Sequence, residues 1–336
     1  MNKATDPSRS DGTFPLGNRS IDPGAAPYLN VSCTAHTACW DRAIRSVAAT
    51  VATWRRCTTA ALGLGWALGS AAAAAASGPA SPDALMKEPL RLPAGYQLVW
   101  SDEFSTDGLP DATKWVYDTG MNKQGWHNAE LQYYSDARPE NSVVRDGKLL
   151  ITARKEDLSA RADWGGQKYS SARLITRGKG DWTYGFYEIR AKLPCGLGTW
   201  PAIWMLNTPV EWPAGGEIDI VEHIGREPGH VFSTLHTAAG HGAHGTGNGT
   251  QVPDACTAFH DYQLHWTPDH MRFGIDGKVH HVYRNARQGT AQWPFDAPEF
   301  LILNIAIGGH LGGPVDDAIF PVQMEVDHVR VYQAPR

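Results

Sequence analysis

The chain has 336 residues, with 30 Lys and Arg against 35 Asp and Glu and a formal net charge of -5. That mild acidity, with no basic cluster in the body of the chain, argues against a nucleic-acid partner. The 35 Gly, 22 Pro and 13 Trp exclude a helical bundle and point to a turn-rich, aromatic-rich all-β protein, for which this length allows a single sandwich domain.

Taken in chain order, residues 1–53 mix Ser, Pro, Asp and Arg without lasting periodicity. They read as a leader of unknown role, either a start assigned too early or an unusually long extension. Residues 54–76 have the layout of a secretory signal: Arg55-Arg56, then an uncharged apolar run from Ala60 to Ala76, then Ser77-Gly78-Pro79. The run is short for a membrane span and poor in large side chains, so an uncleaved anchor is the lesser reading. The expected location is extracellular or periplasmic, with no membrane attachment after cleavage. Cys33, Cys39 and Cys57 precede the cleavage point, which leaves Cys195 and Cys256. Two cysteines in an exported protein suggest one disulfide, but spacing cannot show that they meet. No Cys-x-x-Cys or His-Cys zinc spacing occurs.

Residues 77–95 read as a Pro/Ala-rich lead-in and 96–334 as the folded domain. Strands are predicted at 97–100, 172–176, 185–193, 200–206, 217–222, 231–236, 261–266, 300–307 and 323–332. Asp146-Gly147 and Asp276-Gly277 each sit between apolar runs as hairpin turns, over 143–151 and 272–280. No segment has sustained helical periodicity and no repeat is visible. Short strands split by turns predict a two-sheet antiparallel sandwich, a β-jelly-roll with a concave cleft. The segment from Gly240 to Gly249 reads as a flexible glycine-rich loop. Its histidines could hold a metal, but a mobile rim is the simpler reading.

Gly216-Glu217-Ile218-Asp219-Ile220-Val221-Glu222 sets three carboxylates within six positions of a predicted strand. Side chains alternate faces along a strand, so Glu217 and Asp219 share one face while Ile218 and Ile220 point to the core. Strict alternation would bury Glu222, which is costly for an unpaired carboxylate. One extra residue, a β-bulge near Ile220-Val221, returns Glu222 to the acidic face. Like charges on one face raise the pKa of at least one member. Two strand carboxyls about 5–5.5 Å apart are what a retaining glycosidase uses. The plain alternative is a solvated edge strand. Against it stand the tryptophans: ten of the 13 follow residue 77. Trp200 and Trp204 share a face by even spacing, Trp212 precedes the acidic strand, and Trp126 lies in a polar loop. Flat indoles suit the apolar faces of sugar rings; a lone Trp is more often a core residue, and two on one face beside an acidic strand bring the two readings nearer to even.

With Gly198 to Leu206, Gly216 to Glu222 and Thr234-Leu235-His236-Thr237 together, the sequence resembles glycoside hydrolase family 16 in its laminarinase-like (endo-β-1,3-glucanase) branch. The resemblance spans roughly 96–333. It is supported by Trp100-Ser101-Asp102-Glu103-Phe104, by Asn128 to Tyr134, by Ser171-Ala172-Arg173, by Leu303 to Gly309 and by Val326 to Tyr332. The five-residue step from Glu217 to Glu222 is similar to the bulged form of laminarinases, whereas lichenases have a regular strand one residue shorter.

The resemblance implies Glu217 as nucleophile, Glu222 as general acid/base and Asp219 as holder of the pair's protonation. It implies Asn128, Glu130, Arg154 and Arg173 as polar contacts to glucosyl hydroxyls, the two arginines having a surface ion pair as their plain alternative. Trp200, Trp204, Trp212, His236 and Asn304 are implied as further substrate contacts. No cofactor is implied for catalysis. A structural calcium is suggested on the convex side, held by Glu103, Asp327 and a backbone carbonyl near Gly147, since oxygen ligands from distant turns suit calcium. Where laminarinases commonly continue Gly-Gly-Asn-Trp, this chain has Gly308-Gly309-His310-Leu311, and a stacking aromatic is missing. The expected protein is a secreted monomer that hydrolyses internal bonds of a β-1,3 or mixed β-1,3/1,4 glucan. The competing readings are a non-catalytic β-glucan-binding protein, a transglycosylase and a galactan hydrolase.

Overall fold

The computed structural model describes residues 81–335; the leader and signal expected over 1–76 lie outside them. Alternating apolar residues put two sheets face to face. The first carries, from edge to edge, strands Lys278–Arg284, His270–Ile275, His260–Trp266, Gly185–Lys192, Val322–Gln333, Lys148–Lys155, Tyr169–Ser171 and Gln132–Tyr134. Gln97–Asp102 and Ser142–Arg145 pair alongside it. The second runs Thr246–Gln251, His230–His236, Glu217–His223, Thr199–Asn207, Glu299–Ile307, Arg173–Ile175 and Val116–Tyr117, with Asp181–Trp182 also on Glu299–Ile307. The pairing is antiparallel apart from Gln132–Tyr134 on Tyr169–Ser171. This is a β-jelly-roll sandwich.

One apolar cluster fills the space between the sheets. Ile203, Met205, Ile218, Leu301, Leu303 and Ile305 from the second sheet meet Ile189, Leu264, Phe273, Val326, Val329 and Val331 from the first. Their odd and even partners, Trp200, Trp204, Glu217 and Asn304 among them, are left to the outer face of the second sheet. Pro201 is tolerated inside a central strand because the ladder with the acidic strand begins one residue later, at Ala202↔Glu222.

The expected bulge is present. Trp204 pairs with Asp219 and Ile203 with Val221, so Ile220 is the inserted residue. On the other side Thr234 pairs with Asp219 and Phe232 with Glu222, again one residue out of step. Ile220 and Val221 therefore both enter the core, each about 2% exposed. The backbone carbonyl freed at Ile220 accepts the Ser233 hydroxyl at 2.7 Å, which removes the penalty of a buried orphan acceptor.

Two expectations are corrected. The folded part begins before residue 96: Pro82–Lys87, within the lead-in, is a helix capped by Ser81, with Leu85 buried. Leu90 packs on Phe186 and Val279 while its N–H donates to Gly277 O at 2.7 Å. Six helical residues are too few to show periodicity in a sequence. The glycine-rich segment is likewise not loop throughout, since Thr246–Gln251 is an edge strand against His230–His236. Its glycines mark close approach: a Cβ at Gly247 would lie 2.5 Å from Ser233 O and one at Gly249 2.4 Å from His230 Nε2. Cys195 and Cys256 do meet, as a disulfide with Cα atoms 5.7 Å apart.

Candidate active site

The acidic strand delivers Glu217, Asp219 and Glu222 to the outer face of the second sheet, each in different surroundings. Glu222 is 7% exposed, and its Oε1 accepts the Trp200 indole N–H at 3.0 Å. The Thr234 hydroxyl donates to its Oε2 at 3.4 Å. Burial pushes the Glu222 carboxyl up to about 7; the Trp200 donor opposes that rise and the Glu217 charge adds to it. Asp219, 2% exposed, sits deepest of the three. Burial and then the Glu222 charge drive its pKa far above the usual carboxylate range. Glu217 is half-buried, raised by burial and then by the Asp219 charge, while His236 and Trp212 pull it down. Three carboxyls this close cannot all ionise, so protons are held by the group rather than by one residue.

His236, directly across the ladder from Glu217, places Nε2 3.3 Å from Asp219 Oδ2. Gly245 lets the glycine-rich segment seat on that ring, because a Cβ there would lie 2.7 Å from His236 Cε1. Trp212 is 47% exposed at the rim, edge-on to His241 with ring centroids 5.0 Å apart. A hollow of about 420 Å³ opens beside it, lined by Leu206, Thr208, Val210 and Gly216 among others.

On the far side of Trp200, Asn304 Oδ1 accepts the Trp204 indole N–H at 2.7 Å, and its amide donates to the Tyr134 hydroxyl at 3.0 Å. The Arg173 guanidinium lies over two rings, 4.7 Å from the centroid of Trp204 and 5.1 Å from that of Trp126. It is also paired with Asp118 at 2.9 Å. The ion pair given as its plain alternative is therefore present, and the same guanidinium also lies against the indoles. Glu130 accepts from Gln132 at 2.7 Å and from Asn128 at 3.4 Å, and Asn128 has the left-handed φ of 62°. Arg154 stands apart on Lys148–Lys155 of the other sheet. Its Nε is buried without a hydrogen-bond partner, and no ion pair or hydrogen bond joins it to the carboxyl cluster.

Sequence reasoning passed over Thr234, Asp118 and Glu299. Even spacing from His236 on one strand could have flagged Thr234. Glu299, at the start of Glu299–Ile307, is fully buried with neither carboxylate oxygen partnered. Burial, and then the Glu217 charge, raise it well above an ordinary glutamate.

The residues expected to hold calcium do not fit it as they stand. Both oxygens of Glu103 are taken by Arg330, from Nε at 2.9 Å and Nη2 at 2.8 Å. Asp327 Oδ2 is 3.0 Å from His328 Nδ1. Gly147 occupies its predicted hairpin turn with φ 71°.

Same-face carboxyl groups in unequal surroundings, flanked by indoles, make up the site type of a glycoside hydrolase. Residues 128–328 match the family Glycosyl hydrolases family 16. A beta-glucanase of Rhodothermus marinus is 49% identical over 252 residues, covering 71% of this chain and 85% of that protein. The solved structure of a non-specific endo-beta-1,3(4)-glucanase from family GH16 aligns with a TM-score of 0.72 at 52% identity, over 74% of this chain and 95% of that one. The laminarinase from Rhodothermus marinus aligns at 0.68 with 47% identity, over 72% and 98%. The protein belongs to glycoside hydrolase family 16.

Proposed function

We infer that the protein is an exported endo-β-glucanase that cleaves internal β-1,3-glucosidic bonds of laminarin-type glucans with net retention. The observation that carries this is the bulged acidic strand, which sets Glu217 and Glu222 on one face with Asp219 between them. The names of the similar proteins point the same way: beta-glucanase, laminarinase, endo-beta-1,3(4)-glucanase.

The chemistry follows from the unequal surroundings. Asp219, the most deeply buried, keeps the shared proton and so leaves Glu217 free to ionise and attack the anomeric carbon. Glu222, raised to about 7, holds the proton that the leaving oxygen must receive at neutral pH. Once the glycosyl-Glu217 ester has formed, the Glu222 carboxylate takes a proton from the incoming water. Trp200, Trp204 and Trp212 offer the apolar faces for the sugar rings, and Arg173, Asn304, Asn128 and Glu130 the polar contacts. Both glutamates being present disfavours a purely glucan-binding protein.

The test is digestion of laminarin followed by NMR of the first products. New reducing ends should appear as the β-anomer and mutarotate later. Release of α-anomer first, or of no sugar, would overturn the reading. Activity on lichenan beside laminarin measures the mixed-linkage share, which the non-specific relative makes a fair expectation. Export is supported by the Arg55-Arg56 and Ala71–Ala76 pattern, and N-terminal sequencing of the exported protein should find a start near Ser77.

A further inference from the structure

We propose that Glu217, Asp219 and His236 form a site for one borderline divalent cation of the Zn²⁺ or Cu²⁺ class, which shuts the cleft to substrate. One carboxylate oxygen from each acid and one imidazole nitrogen lie within 4.8 Å of one another. In a tetrahedral site with ligand distances near 2.1 Å, neighbouring ligand atoms are about 3.4 Å apart. Asp219 Oδ2 and His236 Nε2 already stand 3.3 Å apart. Moreover, that Asp219 oxygen is buried without a hydrogen-bond partner, in a residue only 2% exposed. The imidazole is near it but not aligned to donate. An unpartnered buried oxygen facing a ring nitrogen at the ligand–ligand distance is what a cation would complete.

The ring is held in place from behind by Gly245, and His236 and Asp219 sit on adjacent strands of a ladder, so two of the three ligands need little movement. Glu217, half-buried at the rim of the same face, closes the third position and leaves the fourth open towards the cleft. One nitrogen with two carboxylates suits Zn²⁺ or Cu²⁺; Ca²⁺ and Mg²⁺ ask for more oxygens. Binding at the site is independent of the inferred activity. Inhibition rests on that inference, because the cation would occupy the carboxylate that must attack substrate.

Calorimetric titration of the exported protein with ZnCl₂ in a non-chelating buffer should find one site, undisturbed by millimolar Ca²⁺. His236→Gln should weaken it at least tenfold, and Asp219→Asn likewise, while His244→Ala on the neighbouring segment should leave it unchanged. Cu²⁺ bound to the unaltered protein should give an electron paramagnetic resonance spectrum with coupling to a single imidazole nitrogen, which needs no variant to fold. With laminarin, Zn²⁺ at ten times its Kd should raise KM about elevenfold at constant kcat, as competition requires. Absence of a one-to-one site, affinity in both variants unchanged from that of the unaltered protein, or a copper spectrum with two or more imidazoles would mean an adventitious ion only and would overturn the proposal. Binding with these properties but no glucan hydrolysis would leave the site standing and remove the inferred activity instead.

Discussion

Trp200→Phe isolates the part of the Glu222 environment that a single hydrogen bond supplies. The indole N–H donates to Glu222 Oε1 at 3.0 Å and favours the ionised form. A neutral donor on a carboxylate contributes about 1.5–3 kcal/mol. At 1.36 kcal/mol per pH unit this is about one to two units. Trp200 is half-buried, so the lower end applies. Removal of the donor destabilises the carboxylate and moves the Glu222 pKa up from about 7 towards 8. General-acid catalysis requires the protonated form, so activity falls as pH rises through this value. In the variant, the alkaline limb of kcat/KM on laminarin should therefore lie about one pH unit higher than in the parent. The phenyl ring keeps part of the sugar-facing surface, and its smaller area lowers kcat/KM at every pH without moving the limb. Initial rates between pH 5 and 9 separate the two effects. A limb that stays in place, or that shifts to lower pH, would refute the assignment of Glu222 as the titrating acid.

The glutamates can be told apart chemically. Glu217→Ala should lose hydrolysis of laminarin and regain turnover of an activated glycoside with azide, giving the inverted glycosyl azide. Glu222→Ala should give the retained azide and lose at least about 10²-fold on unactivated substrate; the same anomer from both would sink the roles. Glu299→Gln should abolish an alkaline penalty on stability. The native carboxyl keeps its proton to a higher pH than the unfolded one, so stability is unaffected below about 4.3 and falls as pH rises above it. Urea melts of parent and variant should differ more at pH 7 than at pH 4, and parallel curves would contradict a neutral buried Glu299. Because Arg330 holds both oxygens of Glu103, melts in calcium and in chelator should coincide; a rise of about 2.7 kcal/mol at 100 times Kd would mean that the guanidinium yields its place.

The acidic strand was legible because parity alone demanded an inserted residue between Asp219 and Glu222. Which tryptophan meets which acid was not legible. That depends on cross-strand register: the bulge pairs Ala202 with Glu222, so the Trp200 indole and not that of Trp204 reaches the acid. The guanidinium of Arg173 over Trp126 and Trp204 joins residues 31 to 78 positions apart, beyond any local pattern. Glu299 escaped notice as a lone acid before an apolar run, where exposure is the ordinary expectation. The Thr246–Gln251 strand was hidden because glycines chosen for close backbone approach look like loop glycines. The Arg330 partner of Glu103 was out of reach for a related reason, since it lies 227 positions away.

The inserted Ile220 also bears on how this strand tolerates changes in length. Loss of one residue from a buried strand normally turns every later side chain to the wrong face. Between Asp219 and Glu222 the loss of one residue would instead cancel the phase shift and leave all three acids on the same side, two residues apart. The five-residue and four-residue spacings are thus neighbouring solutions, separated by a single deletion rather than by a rebuilt sheet. What the deletion would alter is the axial distance between the two glutamates and the Ser233 hydroxyl, left with no displaced carbonyl to satisfy.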